Sequence, residues 1–136
     1  TLTNDVATKV LFSESVAGGV TLNTFDVRNN TKQEISLATL PEKCIWSKKD
    51  KESIYCGVPL TMPSNNYPDA WYQGRVSFSD ELWKINTSTG ELKIVADLKN
   101  LSGQDIDMTH IMLSGREDLL VFINKADLTL WSFELR

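Results

Sequence analysis

Apolar residues in this chain recur in short runs separated by polar turns. The segment 24–40 aligns without gaps on the segment 82–98, and each consists of two apolar runs around a turn, at 28–32 and 86–90. Both turns carry the Asn, Thr, Ser and Gly residues that favour tight reversals of the chain. No stretch has an apolar stripe at helical spacing. The pattern therefore predicts antiparallel hairpins in an all-β protein.

A second pair of hairpins repeats in the same way. Residues 44–47 and 54–56 align with residues 111–114 and 121–123, and the first unit returns a third time at 130–133. Four-stranded units that recur along a chain are typical of a β-propeller, in which each blade packs against its neighbours.

The repeats predict a partial β-propeller of about two and a half four-stranded antiparallel blades. The single propeller fragment 1–136 divides into blade one at 1–40, blade two at 41–98 and blade three at 99–136. Blade two is complete, with strands near 43–47, 53–58, 81–86 and 91–98. Blade one has strands near 9–13, 20–27 and 34–40 and no clear first strand. Blade three has strands near 110–114, 119–124 and 128–135 and no fourth.

Two strings resemble the WD40-like (TolB-type) β-propeller repeat. Residues 46–55 resemble its aromatic-Ser-Pro-Asp-Gly-Lys segment, although Lys48 replaces the usual Pro and Lys51 stands at the Gly position, and residues 81–92 resemble its later apolar strand with Thr-Gly-Glu. Residues 40–47 and 67–74 are also similar to uncharacterised membrane-anchored bacterial propeller proteins. The resemblance implies an extracytoplasmic domain, anchored through a segment outside this chain, and no assigned activity.

An isolated set of two and a half blades leaves the ring open. Propellers have about 4 to 8 blades, and an open array exposes blade faces and sheet edges. We therefore expect the remaining blades as partners, either in a longer polypeptide or in further copies of the chain.

The two cysteines, Cys44 and Cys56, are equidistant from Asp50 at the tip of one predicted hairpin. Directly opposed residues on paired strands have β-carbons within about 5.5 Å of each other, so a disulfide is feasible. The alternative is two buried small apolar residues, because the next repeat has Ile111 and Ile123 at these positions.

The candidate binding site lies on two long connections at one end of the blades, 59–80 and 99–109. Loops of this length without regular structure often have a function. Aromatic rings beside polar groups suit a protein, peptide or glycan ligand. The alternative is that the aromatic residues fix the loop to its own blade. The candidate residues are Tyr67, Asp69, Trp71, Tyr72, Gln73, Arg75, Asp80, Asp105 and Asp107.

Several classes of function lack support in the sequence. With 14 Lys+Arg against 18 Asp+Glu, the net charge of −4 does not favour nucleic acid. No apolar run is long enough for a membrane span. No metal or cofactor is expected: Asp105 and Asp107 lack a complete calcium-loop motif, and two Cys and one His are too few for a zinc cage. Lys43, Lys48, Lys49 and Lys51 are expected at a solvated hairpin tip.

The leading hypothesis is a non-enzymatic binding or scaffold module of a larger extracytoplasmic propeller, because no catalytic motif is present. The alternative is a fragment of a propeller hydrolase, either a glycosidase or a peptidase-associated domain, with Asp69, Asp80 and Glu81 as acid and base. A third possibility is a set of blades whose role is only to complete a ring.

Overall fold

The computed structural model describes residues 1–135, which form three antiparallel sheets in which strands pair with their sequence neighbours. The first sheet contains β1 (Leu2–Thr3), β2 (Lys9–Val16), β3 (Gly19–Asp26) and β4 (Thr31–Ile35). The second contains β5 (Cys44–Trp46), β6 (Ser53–Pro59), β7 (Asp80–Asn86) and β8 (Leu92–Asp97). The third contains β9 (Met108–Leu113), β10 (Leu119–Asn124) and β11 (Thr129–Glu134). The all-β, partial-propeller architecture expected from the repeats is confirmed.

Blade one differs from the expectation in two ways. It has a first strand, the two-residue β1, in which Leu2 pairs with Leu11. Its last strand is β4 at Thr31–Ile35 rather than 34–40, because Leu22 pairs with Ile35 and the chain then leaves the sheet. The apolar residues that suggested a later strand pack elsewhere: Leu40, fully buried, joins the core beneath the 60–79 connection.

Helical structure within residues 1–135 is confined to three short segments. They are a 3-10 turn at Pro41–Lys43, α1 (Asp69–Tyr72) and α2 (Leu98–Ser102). The Asp97 carboxylate caps α2 by accepting a hydrogen bond from the Asn100 N–H at 3.1 Å. Within residues 1–135, no helix has the length and apolar character needed to cross a membrane.

Two apolar cores hold the sheets together as blades. Between sheets one and two, Leu11 and Leu22 pack with Trp46, Ile54 and Ile85. Between sheets two and three the core contains Tyr55, Leu82, Leu98, Met108, Leu120 and Phe122. Each sheet therefore buries a face against the next, which positions the connections at the sheet ends relative to one another.

Candidate functional site

The connection at 60–79 between β6 and β7 lies against blade one. The Asn65 N–H donates to the Gly18 carbonyl at 2.9 Å, and the Ser15 hydroxyl donates to the Tyr67 carbonyl at 2.5 Å. The rings of Tyr67 and Phe78 pack with their centroids 5.9 Å apart. This half of the connection is therefore fixed to the hairpin of β2 and β3.

The same connection also contacts blade three. The indole N–H of Trp71 donates to both carboxylate oxygens of Asp107, at 3.1 and 3.0 Å, and the Lys125 ammonium donates to the Trp71 carbonyl at 2.7 Å. Tyr67, Trp71 and Phe78 are buried. The long connection thus joins all three blades, and these three aromatic residues serve as its anchors.

Beneath this connection lies a fully buried ion cluster. The Lys43 ammonium contacts the Asp80 Oδ2 atom at 2.6 Å and the Asp107 Oδ1 atom at 2.5 Å, and donates to the Met108 carbonyl at 2.9 Å. All three side chains are at most 1% exposed. The expectation that Lys43 lies at a solvated hairpin tip is wrong, because its ammonium is buried in ion pairs with two carboxylates from distant parts of the chain.

The two carboxylates of the cluster have different surroundings. Asp107 also accepts from the Phe78 N–H at 3.1 Å and the Trp71 indole, so both of its oxygens are hydrogen-bonded. Asp80 accepts from the Met108 N–H through Oδ2 at 2.7 Å, while its buried Oδ1 atom has no hydrogen-bond partner among the described residues. Burial raises the pKa of Asp80 to about 6, against the opposing effect of Lys43.

Gly57 on β6 allows the chains to approach closely at this point. A β-carbon at residue 57 would lie 2.9 Å from the Met108 Cβ atom and 3.0 Å from the Asp80 Oδ2 atom. Glycine is therefore required at position 57 because there is no space for a side chain, and not because the backbone adopts a conformation that favours glycine.

An apolar groove of about 530 Å³ opens above the cluster, where the long connection meets blade three. Tyr72 is 52% exposed and Leu128 is 79% exposed, so both present apolar surface to solvent. The groove is lined by Glu42, Trp71, Tyr72, Thr109, His110, Ile123, Lys125 and Leu128.

Two residues of the groove have strained backbone conformations. His110 has a φ of 51° and Leu128 a φ of 61°, a region that residues with a β-carbon rarely adopt. His110 lies in a β-bulge, because β9 places His110 and Ile111 opposite Phe122 of β10. Strained residues of this kind occur preferentially at binding sites. His110 and Leu128 were not among the residues selected from the sequence, and a bulge leaves no local sequence signal.

The residues selected from the sequence do not all meet in one place. Trp71 and Tyr72 line the groove. Asp69, Gln73 and Arg75 are exposed beside it, and the Arg75 Nε donates to Gln73 at 2.9 Å. Tyr67, Asp80 and Asp107 lie in the interior.

Asp105 and Asp107 face different partners. Asp105 is exposed and pairs with Lys99 at 3.0 Å, while Asp107 belongs to the buried cluster. In the part of the chain that the structure describes, no three His, Cys, Asp or Glu side chains are grouped so as to hold a metal ion.

The disulfide predicted between Cys44 and Cys56 is present. The two residues are direct partners across β5 and β6, with an S–S distance of 2.14 Å. Disulfides persist mainly in oxidising compartments.

Comparison with known proteins supports the fold. No family model matches this sequence, and no curated protein matches it significantly. Among solved structures, TolB from Acinetobacter baumannii is similar with a TM-score of 0.59 and 11% sequence identity, over 95% of this chain and 27% of the TolB chain. The tricorn protease aligns over 99% of this chain and 20% of its own at 11% identity, with a TM-score of 0.33, which is too low to indicate a shared fold. This chain thus has a TolB-like propeller fold and spans about a quarter of the TolB length.

Proposed function

We propose that this chain is a non-enzymatic binding module of a larger extracytoplasmic β-propeller, and that it captures a protein or peptide segment in the groove beside Tyr72. The observation that carries the proposal is the groove itself. It is apolar, it lies between a fixed loop and blade three, and two strained residues line it.

The charges around the groove favour a particular kind of segment. The Lys125 ammonium already donates to the Trp71 carbonyl and lies 5.0 Å from the Trp71 ring centroid. Within residues 1–135, no hydrogen bond or ion pair engages the carboxylate of Glu42. A partner residue with a positive charge complements Glu42 and the net charge of −4. The occupant we propose is an aliphatic or aromatic side chain next to Lys or Arg.

Two further features support the proposed extracytoplasmic location and the proposed larger propeller. The disulfide favours an oxidising, extracytoplasmic location. The similarity to 27% of the TolB chain supports a ring completed by further blades, in the same polypeptide or in other copies.

A selection of displayed random peptides against the immobilised chain tests the proposal. Leu128→Asn and Leu130→Asn form a matched pair, because both leucines are highly exposed on one hairpin and only Leu128 lines the groove. Asn also tolerates the positive φ at position 128. We expect the enriched peptides to share an apolar residue beside Lys or Arg. Leu128→Asn should then weaken their binding at least about tenfold, and Leu130→Asn should not change it.

Equal binding by the two variants would contradict the placement of the site. If a glycan array instead bound the chain in a manner sensitive to Tyr72→Ala, the proposed ligand class would be wrong. The hydrolase alternative has weaker support, because Asp80 is buried against Lys43 whereas Asp69 is exposed.

A further inference from the structure

The buried cluster of Lys43, Asp80 and Asp107 plays no part in the proposed groove binding, yet it combines an amine, a carboxyl group and a second carboxylate without access to water. Each of the two carboxylates is within 2.6 Å of the Lys43 Nζ atom. The rings of Trp71 and Phe78 lie over the ammonium, with centroids 5.1 and 5.4 Å from Nζ. An enclosed site that holds reacting groups in contact supplies much of the barrier reduction for their condensation.

We propose that Lys43 and Asp80 form an intramolecular isopeptide bond, with Asp107 as the catalytic base. The structure describes the ion-paired state that precedes the bond. The bond would join the 3-10 turn at Pro41–Lys43 to the start of β7, next to the disulfide at Cys44.

The hydrogen bonds assign a role to each oxygen. The Asp80 Oδ2 atom accepts from the Met108 N–H at 2.7 Å, so this donor polarises the C–O bond and stabilises negative charge on Oδ2 when the amine adds to the carboxyl carbon. The Oδ1 atom has no partner among the described residues and is the oxygen that leaves. Burial favours the neutral acid of Asp80, which is a better electrophile than its carboxylate.

Asp107 is suited to move the protons. Its Oδ1 atom lies 2.5 Å from the Lys43 Nζ atom, and the hydrogen bonds from Trp71 and Phe78 hold the carboxylate in place. A base in contact with a lysine ammonium removes the proton that blocks its nucleophilic electron pair.

The reaction balances without an oxidant or reductant. The Lys43 Nζ atom bonds to the Asp80 Cγ atom, the bond from Cγ to Oδ1 breaks, and water leaves. The ammonium and the neutral Asp80 begin with four protons between them, of which the amide keeps one, water takes two and Asp107 takes one. A cluster that begins with one positive and one negative charge ends with none, which suits its burial.

Mass spectrometry of the whole chain tests the proposal. After denaturation and reduction of the disulfide, we expect an intact mass lower than the sequence mass by one water. A tryptic digest should contain residues 33–48, uncut at Lys43, joined to residues 76–84. Lys9 and Glu52 provide an internal control, because they form an ion pair without a second carboxylate and should remain unjoined.

The Asp107→Asn variant keeps both bond-forming groups and removes the base, so the lighter species should be lost. If this variant does not fold, Asp80→Asn is informative, because it keeps the shape of the side chain and releases ammonia in place of water to give the same joined peptide. Recovery of the wild-type peptides as separate species, or a link from Lys43 to residues 100–116, would overturn the proposal. Neither result depends on whether the groove binds a peptide.

Discussion

The two junctions between blades each contain a buried lysine, but in different surroundings. Between blades one and two, the Lys9 ammonium pairs with Glu52, whose side chain is 39% exposed, and donates to the Thr87 hydroxyl at 3.1 Å. Between blades two and three, Lys43 and both of its acidic partners are enclosed. Exposed ion pairs contribute little to stability, whereas the loss of one partner from an enclosed pair is costly. The comparison indicates that the stability of the second junction depends more strongly on its charged residues than that of the first.

The cavities at the two junctions also differ, in both volume and polarity. Polar cavities of about 180 and 190 Å³ lie between blades one and two, lined by residues such as Thr24, Gln33 and Thr87. The groove at blade three is larger, at about 530 Å³, and apolar. The enclosed cluster thus lies beneath the surface that we propose for binding, and the half-exposed pair lies beside water-accessible polar surface.

The largest expected effect comes from replacing Lys43, with the replacement of Lys9 as the comparison. Relative to wild-type chains in which the bond between Lys43 and Asp80 has not formed, Lys43→Met should lower the free energy of unfolding by about 3–5 kcal/mol, because it leaves the buried Asp80 and Asp107 without their cation. Lys9→Met should cost less than about 1 kcal/mol, since water reaches Glu52. Urea unfolding of the two variants measures the difference, and equal losses would contradict the account.

The next effect is the pH dependence of stability that the titration of Asp80 causes. It applies to chains in which the bond between Lys43 and Asp80 has not formed. Its raised pKa of about 6 means that the folded state holds a proton that the unfolded chain releases near pH 4. This contribution to stability, about 3 kcal/mol, is present below pH 4 and is lost as the pH rises through about 6. Lys43 and Asp107 are the charged groups that face Asp80.

Unfolding measured between pH 4 and pH 7 isolates this contribution when the unjoined forms of wild type and Asp80→Asn are compared. The difference in unfolding free energy between the two proteins should change by about 2–3 kcal/mol, in the direction that disfavours the wild type at high pH. A pH-independent difference would show that Asp80 does not titrate in this range.

The disulfide lies in blade two, which both junctions share. Reduction should destabilise the chain by about 3 kcal/mol, because the bond closes a loop of 12 residues in the unfolded chain. Thermal unfolding with and without reductant measures this loss. An unchanged midpoint would mean that the disulfide does not stabilise the fold.

Gly57 of β6 and Gly19 of β3 form a matched pair of glycines, one without space for a side chain and one with space. Gly57→Ala should cost about 2 kcal/mol, because the added carbon would press on Met108 and the Asp80 carboxylate. Gly19→Ala should change stability little, since the added β-carbon would lie 3.8 Å from its nearest non-adjacent neighbour, the Val16 carbonyl oxygen. Chemical denaturation of the two variants provides the test, and a larger loss in Gly19→Ala would reverse the comparison.

The smallest effect concerns the two indole hydrogen bonds. Before the bond between Lys43 and Asp80 forms, Trp71 donates to the carboxylate of Asp107, while Trp46 donates to the neutral carbonyl of Leu2 at 3.0 Å. Bonds to charged groups are the stronger. We expect losses of about 2 kcal/mol for Trp71→Phe and about 1 kcal/mol for Trp46→Phe, measured by the same denaturation. A greater loss for Trp46→Phe would contradict the ranking.

Much of the fold follows from the sequence, because hairpins repeat and each repeat has the same local pattern. The opposition of Cys44 and Cys56 could be predicted since it depends only on the hairpin between them. The β1 strand escaped detection because two residues carry no periodic pattern. The early end of β4 escaped because Leu40 looks like a strand residue but packs beneath a loop.

The site was less predictable. Alternation of apolar and polar residues assigns a lysine to the surface, and the burial of Lys43 depends on Asp80 and Asp107, which are distant in sequence. The loop aromatics were recognised, but whether each one anchors the loop or faces solvent depends on blades one and three. The groove also depends on the backbone of His110 and Leu128, which local sequence does not specify.

Amide hydrogen exchange of the 60–79 connection tests the central claim, that this loop is a fixed element that joins three blades and forms the wall of the groove. The Asn65 N–H donates to Gly18 of blade one, and the Phe78 N–H donates to Asp107 beside blade three. We predict that both amides exchange as slowly as those of β6, while the exposed amide of Lys51, which donates no hydrogen bond among the described residues, exchanges rapidly. Exchange of Asn65 and Phe78 as fast as that of Lys51 would contradict the account.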